Sequence, residues 1–360
     1  MTGLEVPPDV PDDVTLQWRV AARPVGKPKA TDFQLTESPV PEPGEGEVLL
    51  KTLYLGLAPV MRMYMQGTGA AGERVLDIGD VIHGRGVAEV VRSNHPDYAA
   101  GDIVQGQLGW QTFKASRMTA QERFFTVPDR GVPYALSAGV LAMAGLSAYC
   151  GFLDCGRPKA GDRVVVSGAA GGVGSMVVQI ARIVGCTVVG IAGGAEKCRF
   201  LKDLGVDAVI DYKHEDVPAR IADLCPGGLD IYFDNVGGET LEACLENLAM
   251  GARVVLCGSI SEYTRAQPFG LTNYARLRDV NGSMNGFFVY NFIDRFDEAV
   301  DQMTDWIKAG TFTPVQDIVD GFENMPAALS RLYDGRNVGV QCCRVRRVPH
   351  DEQLSEGTEA

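Results

Sequence analysis

The stretch VVVSGAAGGVGS (164–175) decides the architecture of this chain. Val164, Val165 and Val166 are consecutive β-branched residues, the composition of a strand buried on both faces. SMVVQIARIVG (175–185) then has the apolar spacing of a helix. Between them, Ala169-Ala170-Gly171-Gly172-Val173-Gly174 has the form A-x-G-x-x-G. Glycines in such a turn let the backbone approach a pyrophosphate whose charge sits at the positive helix N-terminus, and the last, Gly174, lets helix and strand pack closely. A small-residue turn also arises for packing alone, so context must decide.

Downstream the context is a strict alternation. TVVGIA (187–192) reads as a strand, EKCRFLKDLG (196–205) as a helix, then AVID (208–211), PARIADLC (218–225), LDIYFDN (229–235), ETLEACLENLA (239–249) and RVVLCG (253–258) continue the series, with GFFVY (286–290) as a sixth strand. Strand and helix alternating at this pitch imply an α/β unit with a doubly wound parallel sheet. Upstream, from Trp18 to Pro133, the texture is different: short runs such as EVLLKTLYLGL (47–57), VAEVV (87–91) and DIVQGQ (102–107) are separated by Gly/Pro-rich loops, the pattern of a β-barrel or sandwich. LSAGVLAMAGLSAYCGFL (136–153) is apolar and rich in small residues, which suits a tightly packed helix. After FDEAVDQMTDWIKAG (296–310) the strand, helix and strand of VQDIVDGFE, MPAALSRLYDG and VGVQCCRVRR do not extend the alternation and are expected to return to the first domain. The expected organisation is a disordered acidic arm (1–14), a first domain at 15–135 completed by 311–347, a cofactor domain at 136–310, and a disordered acidic tail (348–360).

Charge and cysteines exclude several classes. The 360 residues carry a net charge of −13, but residues 1–14 and 348–360 hold eight Asp and Glu and no Lys or Arg, so the body between them carries only −5. An acidic chain lacks the positive surface that nucleic acid or an anionic membrane requires. Nine cysteines, an odd number without regular spacing, form no disulfide framework and suit a reducing cytoplasm. The start has no signal-peptide pattern, and no apolar run approaches the ~18 residues of a membrane span. The first 149 residues contain no Cys and only His83 and His95, too few for a catalytic zinc, so metal-free chemistry is expected. No Gly-x-Ser-x-Gly elbow or P-loop lysine is present.

The residues after the second strand choose the dinucleotide. An NAD site places Asp or Glu there to hold the ribose hydroxyls, whereas this chain reads Ile191-Ala192-Gly193-Gly194 and then Lys197, a point charge suited to a 2′-phosphate. The other reading of Lys197 is a solvated helix charge beside Glu196. The balance favours NADPH.

AAGGVGS, GGAEK (193–197), DYK (211–213), YFDNVGGE (232–239), CGSISEY (257–263), GFENMPAA (321–328) and DGRNVG (334–339) resemble the zinc-free medium-chain dehydrogenase/reductases, in the branch of the leukotriene/prostaglandin reductases and alkenal double-bond reductases. The resemblance runs from about Trp18 to about Arg344. It implies a GroES-like β-barrel catalytic domain beside a Rossmann domain, a homodimer, and NADPH-dependent reduction of the C=C bond of small-molecule enones and enals. It further implies that Gly171, Gly172, Val173 and Gly174 hold the pyrophosphate, Lys197 the 2′-phosphate, and Tyr212 the adenosine, with Asn235 near the nicotinamide. Cys257, Gly258, Ser259, Ile260, Ser261 and Tyr263, together with Phe287, Phe288, Val289 and Asn337, would complete the cofactor site.

Hydride delivery to the β-carbon puts negative charge on the carbonyl oxygen, which calls for a hydrogen-bond donor aimed at that oxygen. Tyr263 is the first candidate and Tyr274 the second; a cofactor ribose hydroxyl is the alternative donor, and either tyrosine also reads as a packing aromatic. The family's Asp-Pro-Tyr-Met-Arg is Ala58-Pro59-Val60-Met61-Arg62 here, and its Lys after Asn-x-Gly is Val340, departures that suit a larger, more apolar pocket and a bulky or aromatic enone. A quinone reductase on the same fold and a non-catalytic NADPH-binding sensor or scaffold are the competing readings.

Overall fold

The computed structural model describes residues 10–67 and 73–356. Of the expected acidic termini, residues 1–9 and 357–360 lie outside the described residues. The chain divides into two compact units: the described residues of Met1–Gly139, Asp317–Arg336 and Gln341–Ala360 form the first, and Val140–Gln316 with Asn337–Val340 the second.

In the first unit, β1 (Val14–Val20) and β2 (Phe33–Pro39) form an antiparallel hairpin. The main sheet contains β3 (Val48–Gly56), β4 (Arg85–Ser93), β5 (Ile103–Gln107), β6 (Phe113–Ser116) and β7 (Phe125–Thr126), with the short helix α1 (Met61–Tyr64) between β3 and β4. Two later strands, β14 (Gln316–Asp320) and β15 (Val340–Arg344), join its edge in the order β14-β15-β3-β4-β5-β7, with β6 also on β3. One core of Leu50, Leu55, Met65, Ile82, Val104, Trp110 and Phe322 lies under these strands, each fully buried. Burial of that apolar surface is what stabilises many short strands that no local propensity would hold.

The second unit opens with α2 (Met143–Cys150) and a π turn over Gly151–Gly156. The strands β8 (Arg163–Ser167), β9 (Thr187–Ala192), β10 (Ala208–Asp211), β11 (Leu229–Asp234), β12 (Leu248–Leu256) and β13 (Ser283–Gly286) form a parallel sheet in the order β10-β9-β8-β11-β12-β13. Between them run α3 (Gly172–Val184), α4 (Ala195–Asp203), α5 (Val217–Leu224), α6 (Gly238–Leu245) and the single turn α7 (Arg276–Asp279); α8 (Phe296–Lys308) follows β13. This is the doubly wound order, whose direction reverses between β8 and β11, and ligands of such sheets bind outside the strand C-termini at that point.

Four expectations change. Of the arm expected to be disordered, Val10 is buried in the core of the first unit and Val14 opens β1. The sixth strand is Ser283–Gly286, four residues that pair with Arg253–Leu256, while Val289–Arg295 of the proposed GFFVY segment and beyond coils as a 3₁₀ helix. Asn337–Val340 lies in the second unit, although 311–347 was expected to complete the first: Gly339 N–H donates to Ala170 C=O at 2.9 Å and so fastens this segment to the glycine turn. Finally, the expected disordered tail contains a helix, α10 (Pro349–Glu356), following α9 (Met325–Tyr333) and β15. The Asp351 carboxylate accepts the Tyr134 and Ala135 amides at 2.7 and 2.9 Å, and the His350 ring stacks on Tyr134 at 4.2 Å. A carboxylate with two backbone donors and a stacked ring outweighs the unfavourable charge composition that suggested disorder.

Candidate active site

The site residues gather along the C-terminal edge of the parallel sheet. At β8 the chain leaves Ser167, and Gly168 takes φ +56°, a left-handed conformation open to glycine. Gly171 N–H donates back to Gly168 C=O, and α3 begins at Gly172. A Cβ on Gly174 would lie 2.3 Å from the Gly168 carbonyl oxygen, so only glycine allows α3 to pack this closely on the turn. Asn337, buried, turns its amide onto Gly339 C=O at 2.9 Å, and Gly339 pairs as an isolated bridge with Gly171. Asn337 and the glycine turn, 163 to 166 positions apart in the chain, thus form one structure.

At the end of β9, Gly194 has φ +93° and donates its amide to the Asp211 carboxylate at 2.9 Å. That hydrogen bond, with those from the Lys213 amide and His214, holds the Asp211 carboxyl below its ordinary range. Asp211 is therefore a fastener of the Gly193–Gly194 loop. The Tyr212 ring covers Gly193 so closely that a Cβ there would lie 2.6 Å from it, and 53 % of Tyr212 remains exposed. Lys197 stands in the first turn of α4, half-buried, beyond a loop that carries no carboxylate. Gly193, Lys197 and Tyr212 come from two successive strand ends, β9 and β10.

At β11, Asn235 donates its backbone amide to Ser167 Oγ at 2.9 Å and its side-chain amide to Ser167 C=O at 2.7 Å. The Cys257 and Gly258 amides donate to Asp234 C=O, Ile260 to Asn235 C=O, and both the amide and hydroxyl of Ser261 to Val236 C=O. The segment after β12 is in this way draped on the turn after β11. Burial pushes the Cys257 thiol up to about 12, so it stays a neutral, unreactive group. Tyr263 is half-buried; burial raises its hydroxyl, while hydrogen bonds from the Ser259 amide and side chain oppose the shift. After β13, the Phe287 ring lies on Gly151 of the π turn, where a Cβ would meet it at 2.5 Å, and Phe288 is 37 % exposed and packs edge-on against Tyr290. Val289 begins the 3₁₀ helix beside them.

Tyr274 is placed differently: it is 64 % exposed on a loop tied to α6 through Thr272 and Asn273, which bond Glu242. In the first unit, Arg62 is buried, with its guanidinium on the Gly26 and Pro24 carbonyls at 2.6 and 3.2 Å, and His83 bonds Arg74 C=O. Among the described residues no three His, Cys, Asp or Glu side chains group as metal ligands. Sequence reading missed Ser167, Asp211 and Asp234. The available signal was an acidic residue closing an otherwise apolar strand, as in AVID and LDIYFD.

These residues lie along the strand C-termini of a doubly wound sheet, where such folds bind their ligands. Residues 16–124 match the family described as the N-terminal domain of oxidoreductase, and residues 172–305 the one described as zinc-binding dehydrogenase. The chain belongs to the medium-chain dehydrogenase/reductase family. Within it, the chain is 39 % identical to the NADPH-dependent curcumin reductase of Escherichia coli over 91 % of this chain and 96 % of that one. It is 38 % identical to the NADP-dependent 2-alkenal reductase of Nicotiana tabacum over 89 % and 95 %. Among solved structures, CurA of Vibrio vulnificus in complex with NADPH superposes with a TM-score of 0.86 at 38 % identity, covering 92 % of this chain and all of that one. The family fold, a GroES-like unit and a Rossmann unit, is the one described above.

Proposed function

We propose that this medium-chain reductase binds NADPH along the strand ends of its second unit and reduces the C=C bond of α,β-unsaturated ketones and aldehydes. The observation that carries the reading is the end of β9, where a glycine pair replaces the ribose-binding carboxylate and Lys197 follows in the next turn. The relatives named for curcumin and 2-alkenal reduction, and the NADPH complex, support it.

The residues present fit the cofactor. The Gly171–Gly174 turn lets backbone approach a pyrophosphate, Lys197 offers a cation to the 2′-phosphate, and Tyr212 presents a half-exposed ring over Gly193 to the adenosine. Asn235, Cys257–Ser261, Phe287–Val289 and Asn337 line the rest of that edge. Bound NADPH would supply the hydride that the β-carbon gains, and a proton from solvent or a tyrosine hydroxyl would complete the reduction at the α-carbon. The chain's own task is to stabilise the negative charge that develops on the substrate carbonyl oxygen. Tyr263 is proposed for this: its raised hydroxyl retains its proton at neutral pH and can donate. Tyr274, exposed, is the proposed substrate-side tyrosine.

The reading also includes a homodimer, supported by the open edge of β13, and a cytoplasmic location, supported by nine cysteines that are all free thiols. The direct test is NADPH oxidation with a panel of enones, enals and quinones. Turnover with enones and enals, reduced about 10²-fold in kcat by Tyr263→Phe, is the expected result. Turnover confined to quinones, or NADPH binding without turnover of any acceptor, would overturn it.

A further inference from the structure

Asp234 closes β11 and is only 1 % exposed, yet among the described residues the hydrogen-bond partners of its carboxylate are all neutral donors. Ser167 Oγ donates at 2.9 Å, Tyr232 Oη at 2.7 Å, and the Val236 and Gly237 amides at 3.0 Å, Gly237 also reaching the second oxygen at 3.1 Å. A buried carboxylate without a cation is costly unless such donors converge on it. Their placement shows what the convergence does. Because a carboxylate can only accept, the Ser167 hydroxyl donates its hydrogen bond to Asp234 and turns a lone pair to the Asn235 amide, which it accepts at 2.9 Å. Tyr232 donates from the core side; burial and the neighbouring Asp234 hold its hydroxyl well above the ordinary range, so it remains a donor. The main chain of Asp234, Asn235 and Val236 then takes the amides of Cys257, Gly258, Ile260 and Ser261. One anion thereby ties together the ends of β8, β11 and β12, across the point where the sheet reverses.

We propose that Asp234 is a positioning residue for the cofactor: its charge presets the Ser167–Asn235 contact and the Cys257–Ser261 segment, and thereby sets NADPH affinity without touching the cofactor. The proposal rests on the NADPH reading above. It requires that weakening the network loosen a defined set of backbone amides and weaken NADPH together, beyond any general loss of stability.

The test measures NADPH dissociation constants and amide hydrogen exchange of the cofactor-free protein for the wild type, Asp234→Asn, Ser167→Ala and Asp230→Asn. Asp230 pairs with Arg163 at the opposite end of β11 and β8, so its variant weakens the same strands away from the site. Asp234→Asn and Ser167→Ala are expected to raise the dissociation constant about tenfold, the loss of one hydrogen bond to a charged group. They should also speed exchange at 235–237 and 257–261, while Asp230→Asn leaves NADPH binding at the wild-type value. Should Asp234→Asn fail to fold, Ser167→Ala carries the comparison. Wild-type affinity in both network variants, or equal weakening by Asp230→Asn, would overturn the proposal. A wild type that binds no NADPH would overturn the functional reading instead, and unchanged exchange at those amides would still overturn the positioning role.

Discussion

Lys197 shows how much one residue decides. It sits in the first turn of α4, where the helix dipole favours an anion nearby, and the loop before it offers no carboxylate to a ribose. The proposed role of its ammonium is to meet the 2′-phosphate, a group that only the phosphorylated dinucleotide carries. Lys197→Ala should raise KM for NADPH about tenfold and leave KM for NADH nearly unchanged; steady-state kinetics with both cofactors will show this, and equal effects on the two would remove Lys197 from the phosphate site. Asp211 illustrates the converse. A carboxylate close to this loop is occupied by the Gly194 and Lys213 amides, so its presence in the chain does not make an NAD site.

At the scale of elements, α10 has more effect than its eight residues suggest. Its Asp351 accepts the amides of Tyr134 and Ala135, and Ala135 is buried, so removal of the carboxylate costs two hydrogen bonds at a site largely shielded from water. Asp351→Ala is expected to cost roughly 1–3 kcal/mol. Calorimetry should register a fall in melting temperature of about 2–4 °C per kcal/mol in the unit that contains it, and Asp351→Asn, which keeps one accepting oxygen, should lose less. An unchanged melting temperature would mean that solvent serves these amides equally well. The same logic explains β13: as the last strand of the parallel sheet it has one paired edge, and its exposed Asn285 and Gly286 lie on a segment that leads into the exposed Phe288.

At the scale of the molecule, that free edge bears on assembly. Natural proteins cover or charge an open strand edge, and a second copy of the chain is the simplest cover. Sedimentation velocity is expected to give a single species of twice the chain mass; a monomer at micromolar concentration would refute the proposed homodimer. The net charge also takes its meaning at this scale. Most of the acidity belongs to the termini, but Asp12 pairs with Lys51 and Arg346, and Asp351 is buried, so part of that charge binds the ends to the first unit.

The alternation of strands and helices from 163 to 256, the glycine turn and the missing carboxylate after β9 were all legible in the chain, because each depends on residues a few positions apart: periodicity, φ preference and side-chain type are local properties. The 3₁₀ turn in place of strand at Val289, the attachment of Asn337–Val340 to the glycine turn and the ordering of α10 were not legible. The last two depend on a hydrogen bond or ring contact between residues remote in sequence, such as Gly339 with Ala170 or Asp351 with Tyr134. Asp234 belongs to the same class. Its letter marks a charge at a strand end, and only the convergence of Ser167, Tyr232 and the following turn on that carboxylate makes it an organiser of the site, because the free energy of a buried charge is set by the donors that folding brings to it.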